Sequence, residues 1–503
     1  PVVDPDTPDW NPRGCNKGCV YSKVTYGDER IRQPMKQMGE RGSGEWEPIS
    51  WEEAYEEIAD SIVDACLDNP QSIIVEPPIE GGVFQSMSPL LIFANALGGT
   101  VLDEVAEISD ISAGQYMTFG KFHAASSQDE WFKADLNLVW HMNPVYTRIP
   151  AYHFLTENRY AGGELVTIAP DYSPSCVHAD QYVPVEPASD AALALGMCRV
   201  IIEEGLVDES FVKEQTDLPL LVRGDNDRFL RESDFEDDGS DEQFYVWSDE
   251  GLTKSPQDTL KLDVEPPLEG TYEVEIEGET VEVRPVFERL HEKIENEYDL
   301  DTVQDITGIH PEVVEDLARK TASGKTNILV GFNTAKTFHG DLIERSMALL
   351  LALTGNWGRE GTGLRSWCVV PEPGLIYGAG GGGGGGFGDL ARMMMDDDNP
   401  TDEKVAIRGS MVESRFGFPT VPPVFYWYRH CGYDEVWDDA LLENAGIPRD
   451  TSEYIEEALQ RGWWDNLDRP AEGVDPRVML VVGNNTLRRT RGATRNMLDQ
   501  LWS

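Results

Sequence analysis

Short apolar runs and helically spaced apolar residues alternate along most of the chain. The runs predict buried strands at LNLVWHM (136–142), ELVTIAP (164–170) and TNILVGF (326–332). The helical spacing predicts helices at PAYHFLTENRYAG (150–162), DAALALGMCRVIIEEG (190–205), HPEVVEDLARKTA (310–322) and LIERSMALLLALTG (342–355). Strands that alternate with helices predict an α/β fold with doubly wound parallel sheets. Such sheets bind ligands at the carboxyl ends of their strands, which directs attention to the loops after Met142 and Pro170.

The segments around these units have other patterns. Ser50 and Glu53 form a capping box, which predicts a helix that stops near Asn69, and a short buried strand follows at 72–77. Residues 223–263 are acidic and loop-like, whereas 271–285 alternate strictly about Gly278 and predict a solvated β-hairpin with acidic side chains on one face. The glycine run 380–386 is typical of a flexible linker or mobile loop, and we favour the alternative that it is plain low complexity. The last strand is predicted at 477–485.

The charge of the chain excludes some partners and indicates an environment. Its 503 residues include 91 acidic and 41 basic ones, for a formal net charge of −50. Nucleic acid is excluded as a partner because its phosphates would be repelled. The 13 Trp, 17 Tyr and 17 Phe exclude an acidic disordered protein. We therefore expect a globular protein adapted to high salt.

The seven cysteines are few and scattered, and the sequence contains no CxxC pair. This spacing indicates neither a disulfide framework nor a closed zinc site. Cys66 and Cys198 fall within helical patterns and are interpreted as small core residues. No apolar run reaches the ~18 residues that a membrane-spanning helix needs.

Three N-terminal segments carry a family resemblance: NPRGCNKG (11–18), YSKVTYGDERIRQPM (21–35) and ISWEEAYEEIADSI (49–62). Their order resembles the catalytic subunit of molybdopterin oxidoreductases of the dimethyl-sulfoxide-reductase family. Within this family the chain resembles the branch whose molybdenum ligand is an aspartate, which holds the nitrate, selenate and (per)chlorate reductases and ethylbenzene dehydrogenase. The resemblance is to a haloarchaeal form of this branch. The resemblance implies a bis(molybdopterin guanine dinucleotide) molybdenum centre and a [4Fe–4S] cluster. It makes Cys15 the fourth cluster ligand and places Lys17 between cluster and pterin. It also implies that the chain is a fragment lacking both ends, without three cluster ligands and a C-terminal pterin-binding domain.

The same resemblance assigns the molybdenum ligand to the segment TVLDEVAEISDISAGQYMTFG (100–120). A carboxylate oxygen suits a high-valent, oxophilic metal. Asp103 and Asp110 compete for this role, and we select Asp110 because SDISAG followed by TFG fits the position in the branch better. The alternative is that both are surface acids.

Five loops match the family's dinucleotide contacts in their order along the chain. The residues that they supply are Asn143, Thr147 and Arg148, then Asp171, then Asp190, then Gly331, Asn333 and Lys336, and finally Gly483, Asn484 and Arg488. The alternative for each aspartate after a strand is a helix cap. His123 lies just past the molybdenum-ligand segment, and His141 lies next to the first dinucleotide loop. Either could donate to a bound oxyanion, but for both we favour a structural role.

The function implied by the resemblance is the two-electron reduction of an oxyanion by oxygen-atom transfer. Nitrate is the first substrate, because residues 147–172 most resemble the nitrate-reductase version. The alternatives are a reductase for (per)chlorate, selenate or dimethyl sulfoxide and a hydroxylating dehydrogenase of the same branch. An alternative of another class is a non-catalytic structural subunit of a redox complex. A nicotinamide dehydrogenase is disfavoured, since no G-x-G-x-x-G follows a predicted strand.

The resemblance also implies partners and a location. The partners are an iron–sulfur electron-transfer subunit and a membrane or haem subunit. They would hold the enzyme at the membrane, on the outer face after export, with the cytoplasmic face as the alternative.

The resulting division of the chain has seven segments. They are a cluster-domain remnant (1–48), an α/β segment with the molybdenum-ligand loop (49–135), a dinucleotide-binding α/β domain (136–222), an acidic insertion with a hairpin (223–300), a second α/β dinucleotide unit (301–373), a Gly-rich linker with an aromatic-rich insertion (374–475), and a last strand with the start of a helix (476–503).

The charge generates a first prediction. Raising KCl from about 0.1 M to about 1 M shortens the Debye length from roughly 10 Å to roughly 3 Å and screens most of the self-repulsion. We expect the midpoint of thermal unfolding, followed by circular dichroism, to rise steadily over this range. A midpoint that is flat or falls with KCl would contradict adaptation to salt.

Overall fold

The computed structural model describes residues 14–40, 42–76, 88–101, 113–119, 128–236, 238–256, 264–331, 334, 337–365, 431–432, 449, 451–462 and 470–482. The chain divides into two compact units. Unit 1 comprises residues 1–15 and 112–368, and unit 2 comprises residues 16–111 and 369–503.

The described residues form the following helices: α1 (Asn16–Tyr26), α2 (Trp51–Asp68), α3 (Ser88–Leu97), α4 (Ala113–Phe119), α5 (Pro144–Thr147), α6 (Tyr152–Tyr160), α7 (Asp190–Glu203), α8 (Glu209–Gln215), α9 (Val286–Glu297), α10 (Leu300–Thr307), α11 (Pro311–Ser323), α12 (Asp341–Leu353) and α13 (Thr451–Gln460). The strands are β1 (Met35–Gln37), β2 (Trp46–Pro48), β3 (Ile73–Glu76), β4 (Thr100–Val101), β5 (Leu136–Trp140), β6 (Glu164–Ile168), β7 (Gln181–Val183), β8 (Leu221–Arg223), β9 (Tyr245–Ser248), β10 (Gly251–Lys254), β11 (Tyr272–Ile276), β12 (Glu279–Pro285), β13 (Thr326–Val330), β14 (Gly363–Arg365) and β15 (Val478–Val481).

The centre of unit 1 is a parallel sheet of five strands in the order β14-β13-β5-β6-β7. Leu138 in β5 lies opposite Ile328 in β13 on one side and Val166 in β6 on the other. The predicted parallel sheet is therefore confirmed. The pairing of β13 with β5 places the segments 136–222 and 301–373, which we predicted as separate units, in one sheet.

Helices cover both faces of this sheet. On one face Leu138, Trp140 and Ile328 share a core with buried residues of α7, α11 and α12. On the other face Val139 and Leu329 pack with Trp131 and with Phe154 of α6. Successive strand residues point to opposite faces. The sheet is buried on both sides, so its strands are almost continuously apolar and the fold is doubly wound, as predicted.

The strand order creates a switch point within the sheet. From β5 the chain continues to β6 and β7 on one side, whereas β13 and β14 lie on the other side of β5. Ligands of doubly wound folds bind outside the carboxyl ends of the strands at such a point. The crevice expected from topology is therefore bounded by the loops that follow β5 and β13.

Buried polar side chains cross the middle of the sheet. Arg365, which is 1% exposed, donates from Nε to Oδ1 of Asn327 (2.6 Å) and from Nη2 to Oε2 of Glu130 (2.7 Å). Asn327 donates to Oδ1 of Asn137 (2.9 Å), and Asn137 donates to Oδ1 of Asn158 (2.9 Å). Buried polar groups are tolerated when they are hydrogen-bonded to one another. This polar chain links β14, β13, β5 and α6.

The insertion between β7 and β13 contains an antiparallel sheet in the order β11-β12-β8. The predicted hairpin about Gly278 is confirmed, and Gly278 adopts a positive φ of 87°. Val274, Ile276 and Val281 are buried, whereas Glu273 and the other alternating acids are exposed.

The predicted loop at 223–263 contains a second hairpin, β9–β10, which the sequence analysis missed. Its strands have four residues each, too few for a clear alternation. Contacts to the neighbouring sheet stabilise it, since Trp247 stacks on Tyr272 with ring centroids 4.2 Å apart.

Unit 2 contains a parallel sheet in the order β15-β3-β4. Ile73 and Val75 of β3 pack with Ala65 of α2. The predicted start of α2 is confirmed, because the backbone N–H of Glu53 donates to Oγ of Ser50 (3.1 Å). This sheet joins residues of the predicted segments 49–135 and 476–503, and the strands β3 and β15 lie where the sequence places them.

The polar chain in the sheet generates a prediction for stability. Replacing Asn327 by Leu leaves buried polar groups of Arg365 and Asn137 without this partner, at a cost of about 1–3 kcal/mol for each. We expect a clearly lower midpoint of denaturant unfolding in high salt. The matched control is Asn296→Leu on the exposed side of α9, which should leave the midpoint nearly unchanged. Equal midpoints for both variants would contradict the structural importance of this chain.

Candidate functional site

The loop after β5 is built on the short helix α5, which begins at Pro144. The hydroxyl of Thr147 donates to the backbone oxygen of Asn143 (3.0 Å), and Nη1 of Arg148 donates to the backbone oxygen of Thr147 (2.7 Å). Thr147 is exposed, and Asn143 and Arg148 are half-buried. The structure therefore gathers the three predicted residues of this loop in one turn at the carboxyl edge of the sheet.

The loop after β6 presents Asp171 at the same edge. Its side chain is exposed, while its backbone oxygen accepts from the N–H of Ser173 (2.9 Å). Ser173 in turn caps the next turn, because its Oγ accepts from the N–H of Ser175 (3.3 Å).

Ser175 ties these two loops together. Its hydroxyl donates to Oδ1 of Asn143 and accepts from the N–H of Val145 (3.3 Å). Ser175 was not among the predicted site residues. The signal that could have found it is the Ser-Pro-Ser run at 173–175, which is typical of a tight side-chain-capped turn.

Asp190 starts α7 and is only 2% exposed. Its Oδ1 accepts a hydrogen bond from the indole N–H of Trp140 (2.8 Å), and its Oδ2 lies 3.8 Å from Nε2 of His141. These contacts hold the end of β5 against the start of α7. They give Asp190 an anchoring role in the loop, and its predicted bond to guanine stays a prediction.

His141 directly follows β5 in a left-handed conformation with a φ of 60°. A non-glycine residue in this region stores backbone strain, which the surrounding structure must hold in place. The imidazole faces the buried carboxylate of Asp190. The structural role that we favour for His141 agrees with this contact.

The loop after β13 begins at Gly331, which follows β13 as His141 follows β5. Thr334 is fully buried, and its hydroxyl donates to Oε1 of Glu344 in α12 (3.1 Å). Glu344 was also missed. It lies in the segment 342–355, for which the sequence predicted only an apolar helix.

Several predicted residues lie outside the described part of the chain. They are Asp103, Asp110, His123, Asn333, Lys336, Gly483, Asn484 and Arg488.

Cys15 is half-buried directly before α1, and Lys17 is exposed in the first turn of α1. Within the described residues, no three His, Cys, Asp or Glu side chains are grouped closely enough to hold a metal ion. None of the helices described here is long and apolar enough to cross a membrane.

The comparisons with known proteins show the family of this chain. The model of the family described as molybdopterin oxidoreductase matches residues 30–444. The chain belongs to the molybdopterin oxidoreductase family. Membership implies a molybdenum–molybdopterin cofactor, and it accounts for the α/β fold with parallel sheets.

Three relatives illustrate the range of this family. The chain is 36% identical to the dimethylsulfide dehydrogenase subunit alpha of Rhodovulum sulfidophilum, over 98% of this chain and 51% of the relative. It is 39% identical to the chlorate reductase subunit alpha of Ideonella dechloratans, over 71% and 40%. It is 32% identical to the respiratory nitrate reductase subunit alpha of Haloferax mediterranei, over 100% and 49%. The chain thus spans about half the length of these relatives or less.

The described residues at the carboxyl edge fit a molybdopterin cofactor in their chemistry. Arg148 supplies a guanidinium for a phosphate, Thr147 a hydroxyl, and Asp171 an exposed carboxylate that can accept hydrogen bonds. Gly331 has no side chain to keep a ligand away from the backbone. All four residues lie where parallel strands end, which is where such ligands bind.

A half-buried tyrosine beneath this edge generates a pH prediction. Burial, with a smaller contribution from nearby Cys176, raises the pKa of Tyr152 from 10.0 to about 12. Its hydroxyl points at the backbone oxygen of Ser175 (3.5 Å). Because the folded state holds this proton more tightly than the unfolded chain, the stabilisation is complete below pH 10 and is lost as the pH rises toward 12.

We therefore expect the thermal midpoint of the wild type to fall more steeply than that of Tyr152→Phe between pH ~10 and ~12. The control is Tyr160→Phe, since Tyr160 ends the same helix and is 80% exposed. Parallel curves for wild type and Tyr152→Phe would show that Tyr152 is not titrating in this way.

Proposed function

We propose that this chain is part of the catalytic subunit of a molybdenum enzyme that reduces an oxyanion by two electrons, with nitrate as the substrate. Family membership supports the cofactor class, and the respiratory nitrate reductase relative from a halophile supports the substrate. The net charge of −50 fits an enzyme of a salt-rich environment. The resemblance of residues 147–172 to the nitrate-reductase version supports the same choice.

The observation that carries this proposal is the set of polar side chains at the carboxyl edge of the five-stranded sheet. Arg148 would bind a phosphate of the dinucleotide, and Thr147 and Asn143 would fix its position. Asp171 would accept a hydrogen bond from a ribose hydroxyl or a guanine N–H. Asp190 and Ser175 would hold these loops in place from within the protein.

The cofactor would be bis(molybdopterin guanine dinucleotide) molybdenum, with Asp110 as the metal's protein ligand and Asp103 as the second candidate. Asn333 and Lys336, and Gly483, Asn484 and Arg488, would complete the dinucleotide contacts. When bound, the metal centre supplies the exchange of two electrons and one oxygen atom.

The overall reaction balances simply. Nitrate takes up two electrons and two protons, one N–O bond breaks, and nitrite and water leave. Electrons would arrive one at a time through a [4Fe–4S] cluster with Cys15 as one ligand and Lys17 close by. An iron–sulfur partner subunit would supply them. A membrane or haem subunit would hold the complex at the membrane, on the outer face after export or on the cytoplasmic face.

The second candidate function is a dehydrogenase that oxidises a small organic or sulfur compound. The observation that favours it is the 36% identity to dimethylsulfide dehydrogenase. The same electron path would then run in reverse, from the substrate to the partner subunit. Chlorate, perchlorate, selenate and dimethyl sulfoxide are the other acceptors to be tested.

The test uses the natural enzyme that contains this sequence, purified without oxygen in concentrated KCl. Reduced viologen is the electron donor, and nitrate, chlorate, perchlorate, selenate and dimethyl sulfoxide are added in turn, with molybdenum measured in the same sample. We expect nitrate to give the fastest oxidation of the dye. We further expect Asp110→Ala to abolish it and the matched variant Asp103→Ala to retain it.

Each other outcome excludes part of the proposal. Loss of activity in Asp103→Ala alone would move the metal ligand to Asp103. A protein that contains molybdenum but reduces no acceptor, while dimethyl sulfide reduces an oxidised dye, would support the dehydrogenase. A protein without molybdenum would contradict the catalytic function and leave a structural subunit.

A further inference from the structure

Glu344 is a buried carboxylate that joins two distant parts of unit 1. It is 1% exposed in α12, a helix whose other buried residues are mostly apolar. Its Oε1 accepts from the hydroxyl of Thr334 (3.1 Å) and from Nε2 of Gln115 (3.2 Å). Its Oε2 accepts from the backbone N–H of Gln115 (3.1 Å). A buried charge is costly unless it is hydrogen-bonded in this way.

Thr334 and Gln115, which donate to Glu344, are themselves buried. Thr334 is 0% exposed and Gln115 is 1% exposed, so water does not compete for these hydrogen bonds. Thr334 lies in the loop that follows β13, and Gln115 lies in the first turn of α4. The carboxylate therefore links Thr334 to the start of α4 through the hydrogen bonds described above.

The start of α4 is also pressed closely onto α12. A Cβ atom at Gly114 would lie 2.3 Å from the backbone oxygen of Asp341 and 2.8 Å from Cβ of Glu344. Only glycine permits this approach. At the other end of α4, the ring of Phe119 lies edge-on to Trp357 with centroids 5.1 Å apart. Helix α4, which supplies Gln115, is therefore packed against neighbouring residues at both of its ends.

We propose that Glu344 is a positioning residue for cofactor binding, which sets the loop after β13 through Thr334. The inference rests on the proposed function, because Asn333 and Lys336 of that loop are the predicted dinucleotide contacts on either side of Thr334. Gln115 also follows Asp110 by five residues in the sequence. Glu344 touches no reacting atom in this scheme and acts through the segments that it holds.

The test replaces Glu344 by Gln, which keeps the shape and exchanges one acceptor oxygen for an NH₂ group. In the Oε1 position that group would meet both Nε2 of Gln115 and the hydroxyl of Thr334, and in the Oε2 position it would meet the backbone N–H of Gln115. In the natural enzyme we expect the bound cofactor, measured as molybdenum content after dialysis, or the activity to fall about 10–100-fold. Replacing residues that orient the ligands of a metal site has effects of this size. The EPR spectrum of the molybdenum that remains should change shape.

A reciprocal variant separates positioning from simple damage. Gln115→Glu combined with Glu344→Gln restores a donor–acceptor pair between the two side chains, so we expect it to recover most of the cofactor and the wild-type EPR spectrum. The matched control is Glu312→Gln in α11, whose side chain is 87% exposed. It should behave as wild type.

Hydrogen–deuterium exchange of the chain itself gives a readout that does not depend on the cofactor. In Glu344→Gln we expect faster exchange in peptides covering 113–119 and 337–340 together, and wild-type rates in the reciprocal variant. Wild-type exchange, cofactor retention and spectrum in a folded Glu344→Gln protein would overturn the inference. A wild-type enzyme without molybdenum, with the exchange effect present, would contradict the proposed function but leave the link made by Glu344 intact.

Discussion

The pairing of β5 with β13 is the contact on which the rest of unit 1 depends. Asn137 and Asn327 lie opposite each other, are fully buried, and share a hydrogen bond although 190 residues separate them. If either strand shifted by one residue, its amide would turn to the other face of the sheet, into an apolar core. The register is therefore specified by polar groups, and it places His141 and Gly331 at the same level where the two strands end.

Much of this fold could be predicted from the sequence because its strands are buried on both faces. The runs at 136–142, 164–170 and 326–332 are apolar enough to identify strands, and Gly278 marks a turn between alternating residues. What could not be predicted was which strand lies beside which, since β13 pairs with a strand from a segment that we had treated as separate. The hairpin β9–β10 was missed because strands of four residues carry too little pattern.

Residues at the surface of the candidate site were predicted, whereas those beneath it were missed. The positions of Thr147, Arg148 and Asp171 after two strands agree with the expected ligand edge. Ser175 and Glu344 act through long-range hydrogen bonds, and neither has a local pattern that reveals a distant partner. Burial also divides the carboxylates of this acidic protein into two classes. Salt screens exposed acids such as Asp171, whereas the interactions of the buried Asp190 and Glu344 are screened much less.

The insertion between β7 and β13 has a consequence for the entropy of the unfolded chain. Residues 184–325 form the covalent connection between two strands of one sheet, and within them the sheet β11-β12-β8 has a core of its own around Val274 and Val283. The cost of closing a flexible loop grows only with the logarithm of its length, about 0.6 kcal/mol for each doubling. A stretch that folds on itself adds little to that cost, so the part of the connection between α8 and α9 can change in length while α7 and α11 stay packed on the five-stranded sheet.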